Sequence, residues 1–129
     1  MRTLLFVLAY LVPTFALGFV WHLKWFDRAY RDLDIYRPDM IIPFGFLSML
    51  LQGITFAFVY PRLVADPASL ASGLLFAAGV AVLSWTFTTL AVAAKHRMTS
   101  VSRFVAIETA YTVVQFLIVG PLLALTARI

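Results

Sequence analysis

Four apolar runs, each long enough to cross a bilayer and joined by short polar connections, constrain this chain more than any other feature. A spanning helix takes about 20 predominantly apolar residues, each rising 1.5 Å. The runs fall at about Thr3–Phe26, Met40–Tyr60, Ala68–Ala94 and Val101–Ala127. They occupy most of the 129 residues and leave no length for a sizeable soluble domain. The expected fold is therefore all-α: a four-helix transmembrane bundle, one domain over residues 1–129, with both termini on the same side. Composition points the same way. With 63% apolar residues, 12% charged and a mean hydropathy of +0.95, the chain lacks the polar surface of a water-soluble globule.

Local signals punctuate these runs. Met1 and Arg2 before an apolar stretch imitate a signal peptide, but the stretch continues to Phe26 without a small-x-small cleavage site, so a retained first span is expected. Pro13 should kink that span, because proline removes a donor and crowds the preceding turn. The one substantial polar stretch, Asp27–Asp39, reads as a loop or a short interfacial helix, with Arg37-Pro38 favouring extended backbone. Pro43 suits the first turn of the second span, and Pro61 is expected to end it. The third span is rich in Ala, Gly, Ser and Thr, which permit close backbone approach, so it is expected at the centre. Ser100 or Ser102 suits the cap of the fourth, and Gly120-Pro121 a bend near its end.

Basic residues orient the spans. Arg2, Arg62 and Arg128 fall on one side; Lys24, Arg28, Arg31, Arg37, Lys95, Arg97 and Arg103 fall on the other. The positive-inside rule then predicts an inner (plasma) membrane protein with residues 27–39 and 95–100 cytoplasmic and both termini outside. Trp21, Trp25, Tyr30 and Tyr36 near one boundary and Tyr60 near the other suit interfacial aromatic belts. The net charge of +4 lies beside the spans instead of in a separate patch, which favours anionic lipid headgroups over nucleic acid as its partner. The absence of cysteine excludes disulfides, thiolate catalysis and iron–sulfur ligation.

Glu108 carries the most information, because a carboxylate about two turns inside a span costs roughly 2.5–3.5 kcal/mol on insertion scales. Helical spacing puts Glu108, Thr112 and Gln115 on one face with Tyr111 adjacent, and this stripe should face the interior or a partner. Ser48, Gln52 and Thr55 form a matching stripe on the second span; Ser84, Thr88 and Thr89 offer another on the third. Glu108 either is protonated, or pairs with Arg103, Lys95 or His22, and simply fixes helix register, or it handles a proton, ion or ligand. His22 and His96 both fall near the cytoplasmic boundary. With Glu108 or Asp27 they are candidates for a metal, and as a pair for haem, although no ligand-spaced motif accompanies them. Trp21, Trp25 and the phenylalanines offer faces to a flat cofactor, but lipid contact explains them as well. Asp32 and Asp34 lack the burial that tunes paired carboxylates, and neither HExxH, P-loop nor GxSxG is present, so the sequence gives catalysis little support.

The pattern Gly18-x-x-Trp21-His22, a charged aromatic loop, Arg37-Pro38, Pro43-Phe44-Gly45-Phe46 and a Ser/Thr-rich third helix resembles small bacterial membrane proteins of uncharacterised families. The resemblance covers the whole chain. It implies a four-helix integral membrane architecture and assigns no reaction or binding residue.

Three functions follow as expectations. The first is a non-enzymatic protein acting through helix packing, as accessory subunit of a membrane complex or as a homo-oligomer. The second is a transporter or channel-like module with Glu108, Gln115 and Gln52 along a polar path. The third is a cofactor-binding or lipid-modifying protein using His22, His96 and Glu108.

Overall fold

Each apolar run becomes a helix, and local chemistry sets where it begins and stops. The computed structural model describes residues 1–129 and contains no strand. Helix α1 (Arg2–Val20) passes into a π-helical turn at Trp21–Trp25, and the short α2 (Asp27–Leu33) follows. Next come α3 (Ile42–Leu63) and α4 (Leu70–Trp85), which runs through a second π-helical turn at Thr86–Leu90 into α5 (Ala91–Lys95). Helix α6 occupies Val101–Arg128. Counted through the π turns, four helices are long and apolar enough to cross a membrane: Arg2–Trp25, Ile42–Leu63, Leu70–Lys95 and Val101–Arg128.

The Ser100 side chain accepts from the Arg103 N–H at the start of α6, and Ser69 accepts from Ser72 at the start of α4. Helix α2 ends at Asp34, which takes the left-handed conformation (φ 54°) that aspartate tolerates better than most residues. Pro61 does not end α3 as expected. The helix continues to Leu63, where the Val64 N–H closes on the Tyr60 carbonyl at 3.1 Å. So close to the C-terminus, the missing proline donor removes one ladder bond only.

Helix α1 packs on α3 and on α6, and α4 packs on α6. All three pairs run antiparallel, and small residues allow the closest approaches. A Cβ built on Gly53 of α3 meets the Val7 carbonyl of α1 at 3.2 Å; one built on Gly73 of α4 meets the Gly120 carbonyl of α6 at 2.5 Å. Helices α3 and α4 meet through rings, Phe76 lying 5.9 Å from Phe56 and 5.1 Å from Tyr60. The central helix is α6, not the small-residue third span: 50% of the most apolar stretch of α6 is buried, against 11% for α4. Gly73 and Ala77 are the only fully buried residues of α4 and form a narrow stripe that grips α6, with Phe76, Val80 and Ala81 half-buried against the core.

The interior divides along its length. At one end Phe6, Phe56, Tyr60, Phe116, Val119 and Leu123 belong to an apolar core. There Arg2 donates to the Ala127 carbonyl at 2.6 Å, joining the start of α1 to the end of α6, and Arg128 donates to the Ala68 carbonyl just before α4 at 3.1 Å. At the other end Trp21, Tyr30, Leu33 and Phe104 form a smaller cluster. The loop after α5 is tied to α2 there, Thr99 donating from its N–H to the Leu33 carbonyl (3.1 Å) and from its hydroxyl to the Asp32 carbonyl (2.7 Å). Polar side chains fill the layer between the two clusters.

Candidate functional site

A stripe at four-residue spacing on α1 meets the polar stripe of α6 in antiparallel register. His22 faces Glu108, Gly18 faces Tyr111, and Thr14 and Tyr10 face Gln115. Gly18 brings the two helices close, and a Cβ there would stand in ordinary contact, 3.4 Å, with the Tyr111 hydroxyl. The register depends on the π turn that follows. A π turn inserts one residue into the α-helical repeat; it buries the Trp21 ring and leaves His22 beside the carboxylate of Glu108.

Glu108, 7% exposed, is the centre of the inner cluster. Its Oε1 accepts from the Tyr30 hydroxyl at 2.5 Å and from the Tyr36 hydroxyl at 3.4 Å, and the His22 Nε2 stands 3.7 Å away. The His22 Nδ1 is 3.0 Å from the Gly18 carbonyl, an acceptor only, so Nδ1 carries a proton in this arrangement. The rings form one aromatic group: His22 stacks on Tyr30 at 4.6 Å, Tyr111 is edge-on to His22 at 4.9 Å, and Tyr36 lies 5.3 Å from Tyr30. Burial, the Glu108 charge and donation to Glu108 all push the Tyr30 hydroxyl up from its ordinary range, so it remains a donor. Glu108 thus pairs with one of its three anticipated partners, His22. Arg103 instead approaches Asp32, at 3.8 Å.

Deeper in, Gln115 donates to the Tyr10 hydroxyl (3.3 Å) and the Thr14 hydroxyl (3.4 Å), Tyr10 donates to the Gln52 side-chain oxygen, and Gln52 donates to Ser48 at 2.9 Å. Three helices share this chain. Thr112 is buried but donates to the Glu108 backbone carbonyl, so it adds no interhelical bond. In the π-helical turn after α4, Thr88 bonds back to the Ser84 carbonyl at 2.9 Å and Thr89 is fully buried. The anticipated stripes on α3 and α6 therefore meet, but only through Tyr10 of α1.

His96 is not part of either group. It is exposed, with its Nδ1 3.2 Å from the Val92 carbonyl of its own helix. No group of three His, Asp or Glu side chains is placed to hold a metal ion. Trp25 is 68% exposed and Trp21 is packed between Phe26 and Tyr111.

A cavity of about 790 Å³ opens over the inner cluster. His22, Tyr30 and Tyr36 line it beside four charged residues, Asp27, Arg31, Asp34 and Arg37. Leu23, Pro38 and Met40 supply apolar lining. Arg31 pairs with Asp27 at 2.5 Å, and both nitrogens of the Arg37 fork reach Asp39 at 3.0 Å, which holds the Asp39 carboxyl below the usual carboxylate range. Such a space falls within the size range of small-molecule sites, apolar lining with a few convergent polar groups.

Tyr30 and Tyr36, which the sequence pattern places in an aromatic belt, and Tyr10 and Thr14, which it does not single out, contact Glu108 and Gln115 of the expected polar stripe. The four-residue repeat Tyr10, Thr14, Gly18, His22 was the available signal for the α1 stripe. No protein-family model matches the chain, and no curated protein or solved structure is significantly similar to it.

Proposed function

We propose that the chain is an integral membrane protein whose four long helices cross the bilayer as a bundle, and that it binds a small molecule in the cavity over Glu108. One observation carries this reading. The segment that walls the cavity, α2 with Tyr36, also delivers the hydroxyls that hold the buried carboxylate, so cavity and intramembrane charge form a single unit. An ionisable group at such depth is a functional candidate by default. The basic residues around residues 27–39 and 95–100 support a cytoplasmic mouth, with both termini outside, in the plasma (inner) membrane. A binding site fits better than a channel. Below Gln115 the polar layer gives way to Phe6, Tyr60 and Leu123, and an apolar core stands where a through-path would continue.

Native mass spectrometry of gently purified protein tests the reading. The expected spectrum contains a small-molecule adduct that His22→Phe loses. Ligand-free protein held by stoichiometric partner subunits would refute it, and would establish an accessory-subunit role instead.

Self-association through helix packing is the second reading, favoured by the edge of α3. Ser48, Gln52 and Thr55 are exposed in mid-span, a position that suits a facing helix better than lipid tails. Glu108 supports this reading less, since its known contacts are inside the chain.

A further inference from the structure

The charged groups lining the cavity differ in how they are paired. Asp27, Asp34 and, through Arg37, Asp39 stand around it with Glu108 behind Tyr30 and Tyr36; the only bases lining it are Arg31 and Arg37, apart from His22. The lining itself is balanced in formal charge, two carboxylates (Asp27 and Asp34) against two guanidinium groups (Arg31 and Arg37), and Asp39 and Glu108 lie just outside it. The pairing separates the two signs. Both guanidinium groups are engaged, Arg31 by Asp27 and Arg37 by the two oxygens of Asp39. Asp34 makes no ion pair, and its carboxylate stands exposed in the lining. An entering anion therefore meets no unpaired base, whereas an entering cation meets a free carboxylate.

The remaining lining has the chemistry that accompanies carboxylates in ammonium sites. Tyr30 and Tyr36 place two phenol rings on the cavity beside His22, and such rings attract cations through their quadrupoles. Leu23, Pro38 and Met40 provide apolar surface for a hydrophobic substituent. Tyr36 stands between cavity and Glu108. It is 44% exposed, lies in the non-helical segment after α2, and makes the longer of the two hydroxyl bonds to the carboxylate, so it is the group that yields most readily. Lys24 is turned away, its Nζ 5.8 Å from the Phe19 ring.

Building on the reading of this cavity as a binding site, we propose that its ligand is an amphipathic organic cation, an amine or quaternary ammonium ion. Its charged head lies among Asp34, Tyr36, Tyr30 and His22, with Glu108 supplying charge from behind, and its apolar part lies against Met40 and Leu23.

Isothermal titration calorimetry on the full chain in neutral maltoside micelles tests this with three probes that share a phenyl ring: benzyltrimethylammonium, benzyl alcohol and benzenesulfonate. Saturable binding of the ammonium, at least tenfold tighter than either other probe and weakened at least tenfold in both Asp34→Asn and Glu108→Gln, is expected. Asp34 is exposed, so its variant remains informative where Glu108→Gln fails to fold. Binding of benzenesulfonate or benzyl alcohol as tight as that of the ammonium overturns the cation assignment and leaves the cavity a binding site. Ammonium binding that Asp34→Asn leaves unchanged also overturns it. Failure of all three probes to bind overturns both the assignment and the reading on which it rests.

Discussion

Replacing Tyr30 by phenylalanine removes one oxygen and leaves the ring, so it isolates the bond at the centre of the site. The Tyr30 hydroxyl donates to Glu108 at 2.5 Å inside a buried cluster, whereas the Tyr36 hydroxyl reaches the same oxygen at 3.4 Å from a half-exposed side chain. Donation to a charged acceptor contributes about 1.5–3 kcal/mol, against about 0.5–1.5 kcal/mol for a neutral one. Tyr30→Phe should therefore destabilise the fold by about 2 kcal/mol or more, and Tyr36→Phe by less than about 1 kcal/mol, since long, water-accessible bonds contribute little. Repeating Tyr30→Phe in a Glu108→Gln background closes a double-mutant cycle. The cost of losing the hydroxyl should fall there by about 1 kcal/mol, the difference between charged and neutral acceptors. Reversible unfolding in mixed micelles, followed by tryptophan fluorescence and circular dichroism, gives all four corners. Equal costs in the two backgrounds, or a Tyr30→Phe effect below about 0.5 kcal/mol, would refute the account of Glu108 as the acceptor that fixes α2.

Gly73→Ala places a Cβ 2.5 Å from the Gly120 carbonyl, and should cost about 1–3 kcal/mol more than Gly79→Ala, whose Cβ meets nothing within 4 Å. Comparing the two midpoints cancels helix propensity, and equal midpoints would exclude the close α4–α6 contact. Tyr10→Phe removes the hydroxyl that links Gln115 to Gln52 and should cost about 1–3 kcal/mol by leaving amide groups unpaired; an unchanged unfolding midpoint would count against the shared chain. Ser100→Ala should cost about 1 kcal/mol through loss of the α6 cap, read as earlier exchange of the Arg103 amide. Single cysteines at Ser100 and Ile129 should react with impermeant maleimide from opposite faces of sealed vesicles; labelling from one face would refute the proposed topology.

The spans were legible because a bilayer-length apolar run has few alternatives, and the helix bounds lie within three residues of the runs. The α6 stripe was legible for a similar reason: spacings of three and four residues place Glu108, Thr112 and Gln115 together whatever surrounds them. What surrounds them was not. The bond from Tyr30 to Glu108 joins residues 78 positions apart, and no local pattern specifies which hydroxyl a buried carboxylate receives. The centrality of α6 was hidden because composition records how many small residues a helix has, not whether they share a face. Helix α4 has many, but its grip on α6 uses a stripe at Gly73 and Ala77, while Gly79 faces open space. His96 misled in the opposite way: proximity to the same boundary as His22 suggested a meeting that the exposed turn does not make.

The burial of α6 also bears on the order of events during synthesis. A chain leaves the ribosome from its N-terminus, and early segments pair before later ones exist. Helices α1 and α3 have each other to pack against as soon as both are made, but α4 has its principal contacts on α6 and meets α3 only through a few rings. From the completion of α4 until the arrival of α6, α4 waits with its Gly73 stripe uncovered. Glu108 arrives last, when Tyr30, Tyr36 and His22 have already been made, so the costliest residue to insert is translated after all the groups that receive it. In the proposed bilayer setting, chains stalled before α6 would display the small-residue stripe of α4 to any neighbouring helix, which makes that interval the vulnerable period of this protein's biogenesis.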